Sequence, residues 1–530
     1  MKKYKMTAFF RKLAVLLLLL AVCAPAAWAD DGLELAFQAI DTIVSNDVEA
    51  GFTSAQVAVL KDGELLFSGA WGRVNSYNEN GERTEEYAPV TTDTLYDLAS
   101  NTKMYSIAYA VQYLVTKDRL DYDAKIVDIM GEEFADSTLW PEGFSSEAES
   151  LDEMKDWKRE VTVRDVVCHR AGFTASTPYA SKYYDYTGAG VDTTKENPLF
   201  SGYDGSMETR ARTLEKICET PLAYEPRSQV LYSDTDYMLL CFLVEKVTGQ
   251  QLDDFLRETF WEPLGLTHVT YNPLQNGFCE SDCAATELKG NSRDGYVIYE
   301  GVRTELLQGV VHDEKAYAAM GGISGHAGLF ANAEDLARLA YLMVDGSRDG
   351  TEYFSREVLD AAVTNDDSEH SEWGLGWWRE GEANMQRSKY FSILSSEDTV
   401  GHQGWTGTLT VIDRENRLVI VVLTNKLNSH ITDPDNTNRF DGNWYTTAAL
   451  GFAPKLVYAA LEAADTGTDA RESVLRCMES LDEISYYQKM ALDGAASDHP
   501  AVLAYESMDK SYKEFAADSS CARGASAETE

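Results

Sequence analysis

Ser100 and Lys103 stand three residues apart in LYDLASNTKMYSIAYAVQYLV (95–115), where a strand-like approach gives way to an apolar helical pattern. At that spacing the two side chains fall on one face at the opening of a helix, so an amine meets a hydroxyl. A serine hydroxyl is a weak nucleophile at neutral pH. A lysine takes its proton only where burial or a neighbouring cation holds the amine neutral. The pair is therefore a candidate nucleophile and base. By itself SxxK is a weak signal, since about two such strings are expected by chance in a chain of this size. A second one occurs, Ser507 and Lys510 in ESMDKSYKEF, but its acidic, polar surroundings suit a solvated helix face.

Two further clusters carry side chains able to move a proton. Tyr232-Ser233-Asp234 opens the helical stretch SDTDYMLLCFLVEKVTG, capped by Ser233 or Asp234 and ended near Gly249. His402-Gln403-Gly404 precedes Trp405 in GHQGWTGTLTVIDRENRLVIVVLTNK (401–426), which reads as a strand, a charged turn at 413–416 and a second strand. His326-Ala327-Gly328 also fits HxG. It lies in a glycine turn entering a helix, whereas acyl transfer calls for a strand edge that can hold substrate and supply an oxyanion donor. His402 is the better claimant, and His326 and His169 (CHRAG) read as structural.

The elements that must position these residues are an α/β set. A helical stretch at 33–46 is followed by a hairpin at 54–74 around Lys61-Asp62-Gly63-Glu64. Residues 119–160 read as acidic loop, 161–173 as a short helical piece, 174–210 as a long irregular excursion of the kind that lines substrate sites, and 207–224 as helix. Strands near both ends with helices between imply one sheet built from the two ends of the chain.

Composition narrows the function. Of 530 residues, 87 are acidic and 46 basic, a formal net charge of -41, which disfavours phosphate backbones and anionic membranes, so nucleic acid is excluded as a partner. The first 29 residues read as a secretory signal: Lys2, Lys3, Lys5, Arg11 and Lys12, an apolar run too short for an ordinary span, and Ala27-Trp28-Ala29 as a small-x-small cleavage site. The protein is expected to act outside the cytoplasmic membrane, with anchoring through an uncleaved signal as the minority reading. Eight scattered cysteines define no disulfide framework, and for Cys279 and Cys283 pairing and non-pairing are both open. No metal or organic cofactor is implied.

The order SxxK, YSD, HQG resembles the serine β-lactamase and penicillin-binding-protein superfamily on its class C and low-molecular-mass carboxypeptidase side. LYDLASNTKMY, YSDTDYMLL, AATELKGNSRDG, VHDEKAYAAMGGISGHAGLF and GHQGWTGT together look like D-alanyl-D-alanine carboxypeptidases of the penicillin-binding protein 4B type, over roughly 33–452. The resemblance implies a β-lactamase/transpeptidase-like α/β fold, an antiparallel sheet flanked by helices plus a mostly helical subdomain. It makes Ser100 the nucleophile, Lys103 its proton acceptor, Tyr232 the donor to the leaving amine and His402 the residue facing the substrate carboxylate or polarising Tyr232. It places Asp234, Gln403, Gly404 and Trp405 at the substrate, the N–H of Trp405 joining that of Ser100 around the oxyanion. Asp234 departs from the family's asparagine: it accepts hydrogen bonds but donates none, and its charge holds Lys103 protonated. Histidine and Gln403 where the family has lysine and threonine weaken carboxylate recognition.

The chain is thus expected to comprise a signal peptide (1–29), a catalytic domain (30–452) and an acidic helical extension (453–530) with a disordered end. Its expected activity is release of terminal D-alanine from peptidoglycan stem peptides, with β-lactams as acylating ligands. The rival readings are an esterase or β-lactamase of the same fold and a non-catalytic penicillin or cell-wall sensor.

Overall fold

The computed structural model describes residues 32–188, 190–364, 373–379, 387–492 and 494–527, so the signal stretch 1–29 lies outside the described residues. The chain divides into two compact units, one comprising 52–387 and 396–443, the other 1–51, 388–395 and 444–530.

The larger unit is organised by a six-stranded antiparallel sheet. β1 (Ser54–Lys61) and β2 (Glu64–Gly72) form the expected hairpin, Asp62 and Gly63 both taking the positive φ of its tight turn. β3 (Trp378–Arg379), β4 (Thr399–Gly404), β5 (Thr408–Asp413) and β6 (Leu418–Thr424) complete it in the order β3-β4-β5-β6-β1-β2. β6 pairs with β1 from Leu418↔Lys61 to Thr424↔Ala55, so strands from the two ends of the unit meet at its middle, as the sequence implied. Every residue of β6 is buried, which explains its unbroken LVIVVLT in place of an alternating pattern. The strand read as beginning at 401 is in fact two strands, β4 and β5. Trp405 to Gly407 turn the chain between them, with Gly407 at φ +102° and its amide donating to Gly404 O at 3.1 Å. The residues before, within and after the three-residue turn are alike rich in glycine or threonine, so no change of composition marks it.

Two helices bring site residues to this sheet and a third packs on it. A π-helical turn at Lys103–Ala108 runs into α1 (Tyr109–Thr116). α2 (Asp234–Thr248) follows the N-cap Ser233 and stops at Gly249 in the left-handed conformation. It is buried continuously from Thr235 to Val244, and so is apolar on every side and central to the helical region. α3 (Ala333–Ala340), capped by Asn332, packs on β1 and β6. The stretch 119–160, read from its acidity as loop, carries short helices at Ile126–Met130, Glu133–Asp136 and Leu151–Glu160. Each buries only a few side chains, such as Phe134 and Met154, too few to register as a periodic stripe.

The smaller unit groups the helix 32–50 with α4 (Phe452–Thr466), α5 (Ala470–Met490) and α6 (Pro500–Ala527). α6 continues to Ala527, into the stretch whose composition suggested disorder. The boundary read at 452 also differs, because the N-terminal helix belongs with the C-terminal ones. Ser507 and Lys510 are tied down here: Ser507 Oγ donates to Asp47 Oδ1 at 2.6 Å and Lys510 Nζ to Glu49 at 2.6 Å, so the second SxxK is structural. Among the described residues no helix is long and apolar enough to cross a membrane, and Cys168, Cys218, Cys241, Cys279, Cys283 and Cys477 are all unpaired.

Asp47 is fully buried. Burial raises its pKa to about 6, despite hydrogen bonds from Ser507 and from both the amide and hydroxyl of Thr447. Its folded pKa exceeds the unfolded 3.8, so between about pH 4 and 6 the folded state binds the extra proton and stability falls as pH rises. The loss is on the order of 2–3 kcal/mol. Asp47→Asn, which keeps the hydrogen-bonding shape, is expected to flatten the dependence of thermal midpoint on pH over that window, measured by calorimetry.

Candidate active site

Ser100 sits in a short 3-10 turn, Ala99–Asn101, between a buried two-residue strand (Tyr96–Asp97) and the π-helical turn. Ala99 has φ +45°, a left-handed conformation that costs an alanine energy and must be held from outside. Several contacts hold it. Asp97 Oδ1 accepts from Ala99 N at 2.8 Å, and Asp97 Oδ2 accepts from His312 N at 2.7 Å. Thr406 and Thr408 hydroxyls donate to the carbonyls of Asp97 and Leu98 at 2.7 and 2.9 Å. Asn101 is gripped between Thr408 and Thr410 of β5, at 3.0 Å each. The serine turn is thus fastened to β5 and to the turn that precedes it.

Lys103 is fully buried, and the three N–H donors of its ammonium meet three acceptors. It donates to Ser100 Oγ at 3.3 Å, Asp234 Oδ1 at 2.8 Å and the carbonyl of His326 at 3.2 Å. The one-face spacing read at 100 and 103 is realised. Burial works against the charge, but Asp234 and Tyr232 raise the pKa of Lys103 overall, so it rests as an ammonium. Asp234, at the first turn of α2, is drawn well below the ordinary carboxylate range by Lys103, Lys315 and His326 against its own burial.

Tyr232 lies with its ring centroid 4.6 Å from Lys103 Nζ. Its hydroxyl is buried and among the described residues makes no well-formed hydrogen bond; burial raises its pKa, and the nearby Lys103 and Ser100 pull against that rise. The ring clusters with those of Trp373 and His402, whose centroids lie 6.0 and 5.9 Å from it and 6.1 Å from each other. His169 backs it at 4.7 Å, with Nδ1 3.1 Å from Ser233 N and 3.0 Å from Asp236 Oδ2. Burial favours the neutral forms of both His169 and Asp236. His169 therefore fixes the start of α2, as its sequence context suggested, and also forms the back wall of Tyr232.

His402 projects from β4. Its Nδ1–H donates to Gln403 O at 2.6 Å, which leaves Nε2 as the free lone pair. Burial, with Lys103 nearby, pulls its pKa down to about 3, so it is neutral at physiological pH and offers no cation to a carboxylate. Strand alternation turns the Gln403 side chain to the face opposite His402, and what Gln403 presents along the strand edge is backbone. β3 pairs only with Val400 and Gly401, and among the described residues no strand covers that edge from His402 onward. Gly404 abuts the serine turn: a Cβ there would lie 2.3 Å from Leu98 O and 2.3 Å from Thr408 Oγ1. The amides of Ser100 and Trp405 are carried by these two abutting segments, and the Trp405 side chain is 44% exposed.

The sequence reading missed three members of the site. Lys315 Nζ is 3.2 Å from Asp234 Oδ2 and 3.6 Å from Asp313 Oδ2. Asp313 Oδ1 meets His326 Nε2 at 2.8 Å, and His326 Nδ1 meets Ser324 Oγ at 2.7 Å. His326 is structural in its side chain, as expected, yet its carbonyl holds Lys103. VHDEKAYAAMGG carried the resemblance, but no spacing links position 315 to Lys103. Asp234, Asp313 and His326 place ligand-type atoms within 4.8 Å of one another, a group that could hold a metal. The Lys315 ammonium already stands against both carboxylates, and these residues fit a lysine there better than an ion.

An antiparallel sheet whose exposed strand edge closes on a Ser–Lys helix defines the β-lactamase/transpeptidase-like class of serine hydrolases. The chain belongs to the Beta-lactamase family, whose sequence model matches residues 39–443. It is 40% identical over 425 residues to an Escherichia coli (strain K12) protein named "Putative D-alanyl-D-alanine carboxypeptidase", covering 80% of this chain and 90% of that protein. A Salmonella agona protein of the same name is 37% identical over 426 residues, with the same coverage. Among solved structures, a penicillin-binding protein homologue from Caulobacter crescentus aligns with TM-score 0.53 at 19% identity, over 80% of this chain and 97% of that one. EstCE1, a hydrolase with promiscuous acyltransferase activity, aligns with TM-score 0.53 at 18% identity, over 83% and 99%. At such identities the likeness is one of fold.

Gly404→Ala tests the abutment. Its Cβ must push β4 or the Ser100 turn aside by about an ångström, so the rate of covalent labelling by a fluorescent penicillin should fall by roughly 10²-fold while the fold, read by circular dichroism, persists.

Proposed function

We propose that this chain is an exported serine D-alanyl-D-alanine carboxypeptidase acting on peptidoglycan stem peptides. One observation carries the proposal: the buried Lys103 ammonium, hydrogen-bonded to Ser100 Oγ and walled by Tyr232 and His402, occurs in a chain 40% identical along most of its length to a protein named "Putative D-alanyl-D-alanine carboxypeptidase". Export rests on the charge and hydropathy of residues 1–29.

In this reading Ser100 Oγ adds to the carbonyl carbon of the penultimate D-alanine, and the oxyanion is met by the N–H groups of Ser100 and Trp405. The C–N bond then breaks, an ester forms on Ser100, and the amine of terminal D-alanine leaves with a proton passed through Lys103 and Tyr232. Water completes the cycle by releasing the shortened peptide. Lys103 rests protonated and the Tyr232 phenol is pushed up by burial, so the base-competent state is the Lys103–Tyr232 pair with one proton removed. Acylation is expected to rise with pH into the alkaline range. His402 stays neutral and contributes no titration between pH 5 and 8.

Intact mass before and after penicillin, beside a Ser100→Ala control, tests the reading. A lasting single adduct absent from the control, together with D-alanine release from a peptide ending in D-Ala-D-Ala, is the expected result. Consumption of penicillin without an adduct would mean a β-lactamase; no reaction with either compound would leave a sensor.

The neutral His402 favours one alternative, an esterase that needs no carboxylate on its substrate. His402→Lys separates the two. For a carboxypeptidase the substitution should lower KM for the free-acid peptide relative to its C-terminal amide by roughly tenfold, about 1–2 kcal/mol for a charge-assisted contact. An esterase should show no such preference.

A further inference from the structure

We propose that Lys315 is a positioning residue for acyl transfer: its ammonium shares the Asp234 carboxylate with Lys103, and so weakens that carboxylate's hold on the Lys103 proton. The inference deepens the serine-hydrolase reading of this site and rests on it. The two oxygens of Asp234 are divided between the lysines, Oδ1 at 2.8 Å from Lys103 Nζ and Oδ2 at 3.2 Å from Lys315 Nζ. An amide at 234 would leave Lys103 without an anion. A carboxylate serving Lys103 alone would do the reverse, stabilising the ammonium and disabling it as an acceptor. A second cation on the same carboxylate restores the balance.

The position of Lys315 is built into the fold. It is the second residue of a short helix, Glu314–Ala318, whose N-cap Asp313 accepts from Ala316 N at 2.8 Å. Asp313 is also bonded to His326 Nε2, and the His326 carbonyl is one of the three acceptors of Lys103. The path Lys103–Asp234–Lys315–Asp313–His326 therefore returns to Lys103 through the His326 backbone. The charges along it alternate: two cations, two anions and a histidine.

Among the described residues, the other titratable groups facing this circuit are Tyr232 and His402 on the Ser100 side, Tyr237 with its ring centroid 5.8 Å from Lys103 Nζ, the His169–Asp236 pair behind Tyr232, and Glu314 beside Lys315. Of these, Glu314 adds a negative charge near Lys315. His402, His169 and Asp236 are held neutral by burial and set no competing charge.

The test is the pH profile of Ser100 acylation by a fluorescent penicillin or an activated ester, in wild type, Lys315→Met, Asp234→Asn, the double variant and Lys315→Arg. Lys315→Met should move the alkaline rise of the profile up by about one pH unit, slowing acylation at pH 7 about tenfold. Asp234→Asn should move it down. The double variant should lie closer to wild type than either single, and Lys315→Arg should keep the wild-type profile. Thermal midpoints identify any variant that fails to fold, and Lys315→Arg carries the charge with the least disturbance. An unshifted profile in Lys315→Met, or a double variant shifted further from wild type than either single, overturns the inference. If no acyl donor labels wild type, the hydrolase reading fails on its own. The Lys103 ammonium, followed by NMR on side-chain-labelled lysine, then decides the sharing: its midpoint must rise in Lys315→Met.

Discussion

A fully buried ammonium needs three acceptors at once, and Lys103 finds them on three separate segments of chain: Ser100 Oγ, Asp234 Oδ1 and the His326 carbonyl. Each acceptor is fixed by contacts of its own. Asn101, beside Ser100, is gripped by β5, and the serine turn abuts Gly404. Asp234 opens α2 with its amide donating to Ala175 O at 3.0 Å, at the start of the long irregular excursion. His326 is held by Ser324 and Asp313. Desolvating one charge therefore obliges the sheet, the central helix and a glycine-rich turn to meet at a fixed point, because an unmet N–H there would carry the full penalty of a buried unsatisfied donor.

The same constraint shapes the chemistry. Low polarity around Lys103 strengthens its attraction to Asp234, and a strong pair of that kind is a poor starting state for proton transfer. The site contains its own counterweight in Lys315, and it keeps the remaining ring groups neutral by burial. His402 is then a lone-pair acceptor and aromatic wall beside Tyr232, without the positive charge of the lysine that the family resemblance has at its position. A neutral residue there shifts recognition of a substrate's end from charge towards hydrogen bonding along the open edge of β4.

The smaller unit follows another logic. It collects the helix before the sheet and the three after it, and its buried polar centre, Asp47 with Thr447 and Ser507, links residues from both ends of the chain. Sequence order suggested an appended extension, because the eye groups neighbours along the chain. Burial groups them by which apolar faces can cover one another.

Local signals were enough to read a good part of this protein. The hairpin at 54–72 is set by an Asp-Gly turn, the end of α2 by its Gly249 stop, and the pairing of Ser100 with Lys103 by helical geometry, all properties of a few consecutive residues; the Ser233 hydroxyl read as a cap for α2 instead donates to Thr174 O at 2.8 Å. Family-specific strings brought Tyr232, Asp234 and His402 to the same place before any fold was known. What only the tertiary structure decided was every feature set by burial or by contact between distant segments: the protonation states of Lys103 and His402, the side-chain face of Gln403, the break between β4 and β5, and the presence of Lys315. A charge state depends on what surrounds a group in three dimensions, and Lys315 is near Lys103 only because a sheet, a helix and a loop converge on one buried ammonium.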